Sequence, residues 1–485
     1  MTRRIIVVGG GISGLAAAHR LFELSRERGI RLEVLLLEAS QRLGGSISTE
    51  RTNGFLVEAG PDSFISEKPW ALRLCERLGI TSRLVPLQAT RQNLYVVHRG
   101  SLHPLPEGFI LMAPTRLRPL VVSPLFSWAG KLRMALELFL PRRSVEGDES
   151  LASFVRRRFG SEVLERVAQP LIGGIYASDP EELSVAATMP RFLEMERSRR
   201  SIIWATWLEK QRRSYVRQEE SGVRWSLFVS LVDGMQELVD ALASRLPAGA
   251  AHLGIKVVRL ARDSAGRTWI VNTEKGEEFE ANGVIMAAPA YAAAKSLSTF
   301  APALAEELGG IPYTSAATVT LAYRRDDIPD GLQGFGLVAP AVEGRKIIAC
   351  SFSSVKYPGR APAGYELLRA FVGGALHPSL FGQSDFAMET SVRQELEALL
   401  GIQAPPLFCN IHRHPHSMPQ YLVGHLDRIR RLETHLVHFP GLALAGNAYH
   451  GVGIPDCVHS GEEAAETLLN DLPNSGSGAR GGRTR

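Results

Sequence analysis

Residues Arg4 to Leu15 read RIIVVGGGISGL, and they restrict the fold more tightly than any other stretch of the chain. Ile5 to Val8 make a short β-branched strand, Gly9, Gly11 and Gly14 fall at G-x-G-x-x-G spacing, and Ser13 to Arg28 carry helical periodicity. A second apolar strand, Leu32 to Leu37, ends at Glu38. Strand, glycine turn, helix, strand and acid in this register predict a dinucleotide-binding βαβ unit, hence an α/β fold. A pyrophosphate must approach bare backbone where the helix N-terminus offers unpaired N–H groups, so side chains at Gly9 and Gly11 would block it. Gly14 lets helix and strand pack. The Glu38 carboxylate can accept both hydroxyls of an adenosine ribose and would repel a 2′-phosphate, which argues against NADP.

The loop after Glu38 separates flavin from nicotinamide. The run EASQRLGGSIST (Glu38 to Thr49) sets Arg42, Gly44 and Gly45 directly after the ribose-binding acid, in a loop able to fold back over a pyrophosphate. It resembles the second fingerprint of FAD-dependent oxidoreductases of the amine oxidase and protoporphyrinogen oxidase superfamily. The C-terminus agrees: LALAGNAYHGVGIPDCVHSGEEAAETLL (Leu442 to Leu469) reads as strand, glycine-rich turn and helix. In that superfamily such a strand and helix return to the N-terminal domain and their loop lies against the flavin. The resemblance therefore implies a cofactor domain assembled from both ends.

A chain of 485 residues exceeds one core of about 250–300 residues, so two or three domains are expected. Hydrophobic content of 45% with 22% charged residues is ordinary for a soluble or peripheral globular protein. Cys75, Cys350, Cys409 and Cys457 lack C-x-x-C spacing, which gives neither a zinc site nor a disulfide framework and favours a reducing, cytoplasmic compartment. The nucleotide fold begins a few residues after Met1, leaving no room for a signal peptide ahead of it. No stretch approaches the roughly 18 apolar residues of a membrane span. The Gly-, Ser- and Arg-rich tail 473–485 is expected to be disordered.

Between the two ends the chain reads as insertions. Phe55 to Ser66 (FLVEAGPDSFIS) has a Gly60-Pro61 turn. Ser226 to Leu246 reads as a turn and an amphipathic helix, and Ile255 to Leu260, Thr268 to Thr273 and Gly283 to Ala288 as strands. The division expected is a discontinuous cofactor domain (1–95, 225–290 and 440–472), an antiparallel-sheet substrate domain (96–109 and 291–439) and an inserted helical domain (110–224). That insertion holds 19 Arg or Lys against 14 Asp or Glu, an excess equal to the whole-chain +5. Within it LVVSPLFSWAG (Leu120 to Gly130) is followed by Lys131 and Arg133. An apolar, aromatic stretch beside basic residues suits a monotopic membrane contact, on the inner face of the membrane, or a greasy substrate entrance. A helical domain with a normal core and a solvated basic face fits equally well. Nucleic acid is not expected, because no recognition motif accompanies the basic composition.

Four stretches sharpen the resemblance to the protoporphyrinogen/coproporphyrinogen oxidase family: GPDSF (Gly60 to Phe64), QPLIGGIYASDPEELS (Gln169 to Ser184), MPQYLVGH (Met418 to His425) and GNAYHGVGIPDCVHSG (Gly446 to Gly461). It implies FAD contacts at Gly9, Gly10, Gly11, Ile12, Ser13 and Gly14, at Glu38, Ala39, Arg42, Gly45 and Ser46, and at Gly60, Pro61, Asp62 and Ser63. Further contacts are implied at Val258, Gly446, Asn447, Val452, Gly453 and Ile454. The Gly173, Gly174 and Tyr176 loop would face the substrate. Plant-type members pair an arginine ahead of a Tyr-containing strand with a propionate; here Leu94 precedes Tyr95, and Arg91, Arg99 and Lys68 are the nearby cations. DSFISEK (Asp62 to Lys68) is more similar to the bacterial branch, whose members often oxidise coproporphyrinogen III.

The implied reaction is oxidation of a porphyrinogen, coproporphyrinogen III or protoporphyrinogen IX, to the porphyrin in heme biosynthesis, by three successive two-electron steps with oxygen as acceptor. No dedicated base is demanded, and no catalytic side chain is assigned beyond the substrate-facing candidates Asp62, Lys68, Arg91, Gly173, Gly174 and Tyr176. A heme-pathway enzyme docking at the cationic segment is compatible with it. Among other constellations, His412, His414 and His416 alternate and would share a strand face, but no carboxylate or cysteine joins them at ligand spacing, so no metal is assigned. Phe352, Tyr357 and Phe371 suit core packing better than a wall for a planar substrate, and His450 a structural place in the C-terminal loop. The rivals are another flavin oxidase of the superfamily, acting on an amine or carotenoid precursor, and a lipid carrier that kept the fold; the intact Gly9, Gly11, Gly14 and Glu38 argue against the carrier.

Overall fold

The computed structural model describes residues 2–88, 93–110, 113–114, 117–145, 147–216 and 226–472. β1 (Arg3–Val8) and β2 (Leu32–Glu38) pair in parallel, Arg3 opposite Leu32 through Val8 opposite Leu37, and α1 (Ile12–Glu27) joins them. Three strands from distant parts of the chain complete a five-stranded parallel sheet: Ala251–Leu253 outside β2, Gly283–Met286 beside β1, and Leu442–Leu444 at the far edge. Ile5 and Val7 enter one core with α1 and the C-terminal helix, while Ile6 and Val8 enter another with Trp269, Leu297 and Leu304. Burial on both faces is why β1 reads as an unbroken apolar run.

The C-terminal helix Ile454–Asp471 lies along α1 in the same direction, with Arg20 donating to Glu466 and Arg28 to Asn470. Gly461 is the contact: a Cβ there would stand 2.1 Å from the Ser13 carbonyl oxygen. Gly461→Ala must push the helices apart, and urea denaturation should register a loss of about 1–3 kcal/mol.

A second, seven-stranded sheet runs in the order Phe408–Pro419, Tyr313–Arg324, Tyr365–Gly373, Ala349–Phe352, Gly336–Val338, Leu94–His98, Ser101–Pro104. It is antiparallel except where Gly336–Val338 meets Leu94–His98 in parallel. Its outer face packs Val319, Leu321, Leu368 and Val372 against Met388, Val392 and Leu396 of the helix Asp385–Leu400.

One local expectation differs from the fold, and two features go beyond what the pattern predicts. Residues 226–246 open on a strand, Phe228–Leu231, which pairs with Phe64–Ile65 and Leu84–Pro86 before the helix Gln236–Arg245. Ala251–Leu253 is too short to carry periodicity and joins the sheet through its register with Leu36 to Glu38. Val257–Arg262, Trp269–Thr273 and Glu278–Ala281 form a separate antiparallel sheet rather than extending the parallel one.

The insertion is helical, with helices at Leu117–Val122, Trp128–Ala135, Leu151–Arg158, Gln169–Tyr176, Pro190–Arg199 and Ile202–Val216. Leu120, Leu125, Phe126 and Met134 point into its own core with Phe154 and Phe159. The same stretch also keeps an outer apolar side, for Val122, Trp128, Leu132, Leu136 and Phe139 are exposed, Trp128 at 73%. On that outer side the Lys131 ammonium lies 4.6 Å from the Trp128 ring centre and donates to the Val121 carbonyl. No helix among the described residues is long and apolar enough to cross a membrane. The tail 473–485 lies outside the described residues.

Candidate functional site

Each end of the chain delivers a helix N-terminus to the carboxyl edge of the parallel sheet. Gly9 leaves β1 with φ +108°, and a Cβ there would lie 2.6 Å from the Ala287 carbonyl oxygen. Gly14 packs on Gly9 so closely that its Cβ would reach 1.9 Å from the Gly9 oxygen. Gly10 donates its N–H to the Glu38 carboxylate at 2.6 Å, and Ser40 donates to the other oxygen of that carboxylate at 2.7 Å. Glu38 is thereby held against the glycine turn at the end of β2.

Gly11 differs from its neighbours. It precedes α1 in extended conformation, no side chain caps the helix, and a Cβ at Gly11 would meet only the Gly45 Cα, 4.0 Å away. Neither sterics nor backbone explains a glycine here; a cradle for a ligand against the helix N-terminus does. Over it folds the predicted second fingerprint, with Gly44 bridging to Gly11 and donating to the Gly10 carbonyl at 2.8 Å. Arg42 turns its guanidinium back onto the carbonyls of Leu43, Gly45 and Ile47, so it shapes the loop. Ala39, Gly45 and Ser46 are exposed. Gly60 is required because its Cβ would reach 1.8 Å from the Ser46 oxygen, which draws Gly60 to Ser63 alongside. Val258 sits in a bulged strand whose approach is tied to β2 by Ile255 N–H donating to the Glu38 carbonyl.

At the other end Gly446 has φ +136° and donates to Ser460 Oγ, and Gly453 precedes the helix Ile454–Asp471 with Pro455 in its first turn. Ile12 and Ile454 thus open two parallel helices at one end of the sheet, where their partial positive charges add. Asn447 is fixed through its carbonyl, which accepts from Tyr421 Oη at 2.6 Å, and Val452 packs on the core of the insertion.

Of the substrate-facing candidates, Tyr176 ends the helix Gln169–Tyr176 with its ring 6.3 Å from that of Tyr421, Gly173 packs loosely on Gln169 and Ile348, and Gly174 faces open space. Lys68 is not a free cation: its ammonium donates to both oxygens of Asp456, at 2.6 and 2.8 Å. Asp62 is likewise paired, accepting from Lys356 at 3.0 and 2.9 Å and from Ser63 Oγ at 2.7 Å. Burial would push the Asp62 carboxyl up, but Lys356 and Arg369 outweigh it and hold the group well below the usual carboxylate range. It stays ionised and cannot serve as a neutral-pH acid. Arg91 lies outside the described residues, and Arg99 is a surface residue whose N–H donates to Glu343.

His412 and His414 share a face as expected, His412 bonded to Glu50 and His414 donating to the Ala59 carbonyl. His416 leaves that face by adopting φ +45°. Phe352 and Tyr357 are core residues, and His450 is exposed beside Glu433. The residues that sequence reasoning missed are Lys356, Arg369, Tyr421, His425 and Asp456. Lys356, Tyr421, His425 and Asp456 hydrogen-bond partners distant in sequence, Asp62, Asn447, Tyr449 and Lys68, and the burial of Arg369 is set by strand pairing, so none leaves a local signal of its role.

His425 links the insertion side to the C-terminal loop, stacked on Tyr421 at 4.2 Å and donating to the Tyr449 carbonyl at 3.0 Å. Burial lowers the imidazoles of His425 and His414. A folded ring that binds protons less readily than the unfolded one contributes stability that is complete above about 6.5 and is lost as the pH falls through the lowered folded value. The melting temperature should therefore drop between about pH 7.5 and about pH 5, and less so in His425→Gln.

The family of flavin containing amine oxidoreductases matches residues 12–469. A coproporphyrinogen III oxidase of Bacillus subtilis (strain 168) is 36% identical over 97% of this chain and 98% of its own length. A protoporphyrinogen oxidase of Bos taurus is 34% identical over 98% of this chain and all of its own length. A crystal structure from Exiguobacterium sp. 255-15 superimposes with a TM-score of 0.83 at 32% identity, covering 96% of this chain and 98% of that one. Reduced UDP-galactopyranose mutase shares the fold at a TM-score of 0.72 and 16% identity, over 97% of this chain and 94% of that one. With glycine-rich turns from both ends of the chain meeting at one sheet edge and a family match over residues 12–469, this protein belongs to the flavin-containing amine oxidoreductases.

Proposed function

We infer that this protein is an FAD-dependent oxidase that converts a porphyrinogen, coproporphyrinogen III or protoporphyrinogen IX, to the porphyrin in heme biosynthesis, with oxygen as the final acceptor. The observation that carries the reading is full-length similarity to relatives named for both reactions, at 36% and 34% identity. An amine or carotenoid-precursor oxidase is not favoured.

The open cradle at Gly11, the helix N-termini at Ile12 and Ile454 and the Glu38 carboxylate suit the pyrophosphate and adenosine ribose of FAD. Bound there, FAD supplies a two-electron acceptor for the bridging methylenes of the macrocycle, used three times per porphyrin. The chain's own contribution is placement and exclusion of water. Gly60 to Ser63 and Gly446 to Ile454 would flank the flavin ring, with the Asp62–Lys356 ion pair near it, and Gly173, Gly174 and Tyr176 would close the substrate side. Lys68, tied to Asp456, must exchange partners to meet a substrate carboxylate; Arg91 and Arg99 remain candidates for that task. The division into cofactor (1–95, 225–290, 440–472), substrate (96–109, 291–439) and helical (110–224) domains belongs to the same reading.

The exposed Trp128, Leu132, Leu136 and Phe139 beside Lys131 suit a peripheral contact with a membrane from the cytoplasmic side. Flotation with anionic vesicles should carry the protein, and Trp128→Ser with Leu132→Ser should abolish it. The catalytic reading is tested by anaerobic mixing with each porphyrinogen. Flavin absorbance should bleach with at least one, the faster naming the substrate; bleaching with neither overturns the reading.

A further inference from the structure

The inner face of the seven-stranded sheet carries a buried polar row that the proposed function does not use. Register sets Thr320 opposite Arg369 and Arg369 opposite Ser351, so three adjacent strands present these side chains side by side. The face looks toward the hairpin and loop 49–63: two residues along from Thr320, Thr318 Oγ1 donates to the Ala59 carbonyl, and His412, opposite Thr318 on the edge strand, bonds Glu50. Arg369 is 4% exposed, yet its Nε and Nη1, together with Thr320 Oγ1 and Ser351 Oγ, are buried with no hydrogen-bond partner among the described residues. Its guanidinium stands 4.7 Å from the Phe371 ring centre.

A guanidinium always carries its charge, and leaving one buried without an acceptor is expensive. The neighbouring carboxylates accept no hydrogen bond from its Nε or Nη1. Asp62 is taken by Lys356, and Glu58 accepts from Thr49 Oγ1 and Met235 N–H while burial pushes its carboxyl up. Arg360 adds a further cation, satisfied by the Val232 and Leu231 carbonyls and Ser230 Oγ. The buried Arg369 and Arg360 and the part-buried Lys356 thus face two carboxylates, the part-buried Asp62 and the buried Glu58, while Glu50 and Asp233 at the rim are about half exposed to solvent. His414, lowered by burial, adds no charge. The seam between the substrate sheet and the Ala59 to Ser63 segment holds an excess positive charge.

A charge in excess at rest is useful if a negative one appears during turnover. Uptake of a hydride equivalent adds two electrons and one proton to a neutral isoalloxazine, so the reduced ring carries one negative charge until a second proton arrives. We propose that Arg369 supplies the buried positive charge that stabilises the anionic reduced form of the bound flavin, acting across the Ala59 to Ser63 segment. This rests on the assignment of FAD as the cofactor. Arg369 is a positioning charge that tunes the cofactor, not a group that touches substrate.

Sulfite reads the same property without substrate, because it adds to oxidised flavin and leaves the ring anionic. In holoenzyme, Arg369→Met should weaken sulfite binding about tenfold or more and lower the flavin midpoint potential by about 30 mV for each tenfold. Arg369→Lys should stay within about threefold of the parent, and Asp62→Asn, which removes a neighbouring negative charge, should shift both readouts the opposite way. If Arg369→Met fails to fold, the sign of the Asp62→Asn shift decides. Sulfite affinity unchanged within about twofold in Arg369→Met, an equal loss in Arg369→Lys, or no tightening in Asp62→Asn overturns the proposal. A parent protein that takes up no FAD overturns the cofactor reading instead, and that is visible before any sulfite is added.

Discussion

Gly11→Ala will give a folded protein that has lost its cofactor. The Cβ meets no atom of the chain nearer than the Gly45 Cα at 4.0 Å, and the backbone is already in a conformation open to any residue. Apoprotein stability should fall by about 1 kcal/mol or less, since alanine caps a helix less well than glycine. The methyl instead fills the cradle a pyrophosphate would occupy, so FAD affinity should fall by about a hundredfold, ~2.7 kcal/mol. Gly9→Ala should do the reverse: at φ +108°, with its Cβ 2.6 Å from the Ala287 oxygen, it strains the apoprotein itself. Isothermal titration of FAD into the two apoproteins, beside their urea melts, separates the effects. Equal FAD affinity for Gly11→Ala and the parent would remove the glycine turn from the cofactor site.

Glu137→Ala should be the most destabilising single change in the helical insertion. Glu137 and Arg158 form an ion pair with both side chains 0% exposed. The Glu137 carboxylate also accepts from Ser201 Oγ and from the Ile202 and Ile203 N–H groups, so it caps the helix that begins there. The remaining Arg158 donors reach the Pro141 and Arg200 carbonyls. Removing Glu137 leaves the buried guanidinium only the Glu196 carboxylate, 3.6 Å away and shared with Arg157, and frees a helix N-terminus as well, a loss of about 3 kcal/mol. Far-ultraviolet circular dichroism during urea unfolding should show the insertion melting ahead of the parallel sheet. Glu137→Met with Arg158→Met should recover most of the loss, since a matched apolar pair leaves no stranded charge.

The glycine turn, β2 and its terminal acid were legible because each is imposed by a local backbone requirement. The helix at Ile454–Asp471 was legible for the same reason, through its glycine-rich turn and apolar period. The strand Phe228–Leu231 was not, since it is placed by pairing with Phe64–Ile65 and Leu84–Pro86 and carries no pattern of its own. The insertion shows the boundary within one stretch. Leu120 to Gly130 reads as an apolar stretch broken only at Pro124, and only packing reveals that Leu125 and Phe126 turn inward while Val122 and Trp128 face out.

The cations divide in the same way. By sequence Lys68 was a candidate for a substrate carboxylate, and Lys356 carried no signal; folding gives Lys68 to Asp456 and Lys356 to Asp62. Unaided, this sequence determined where the backbone must be bare, where it must turn and which acid ends the second strand, because those demands act over a few residues. Which charges neutralise one another, and that Arg369 is left over, was decided by the tertiary structure alone. Coulomb energy depends on distance in space, and the partners are brought together only when strands hundreds of residues apart close onto one another.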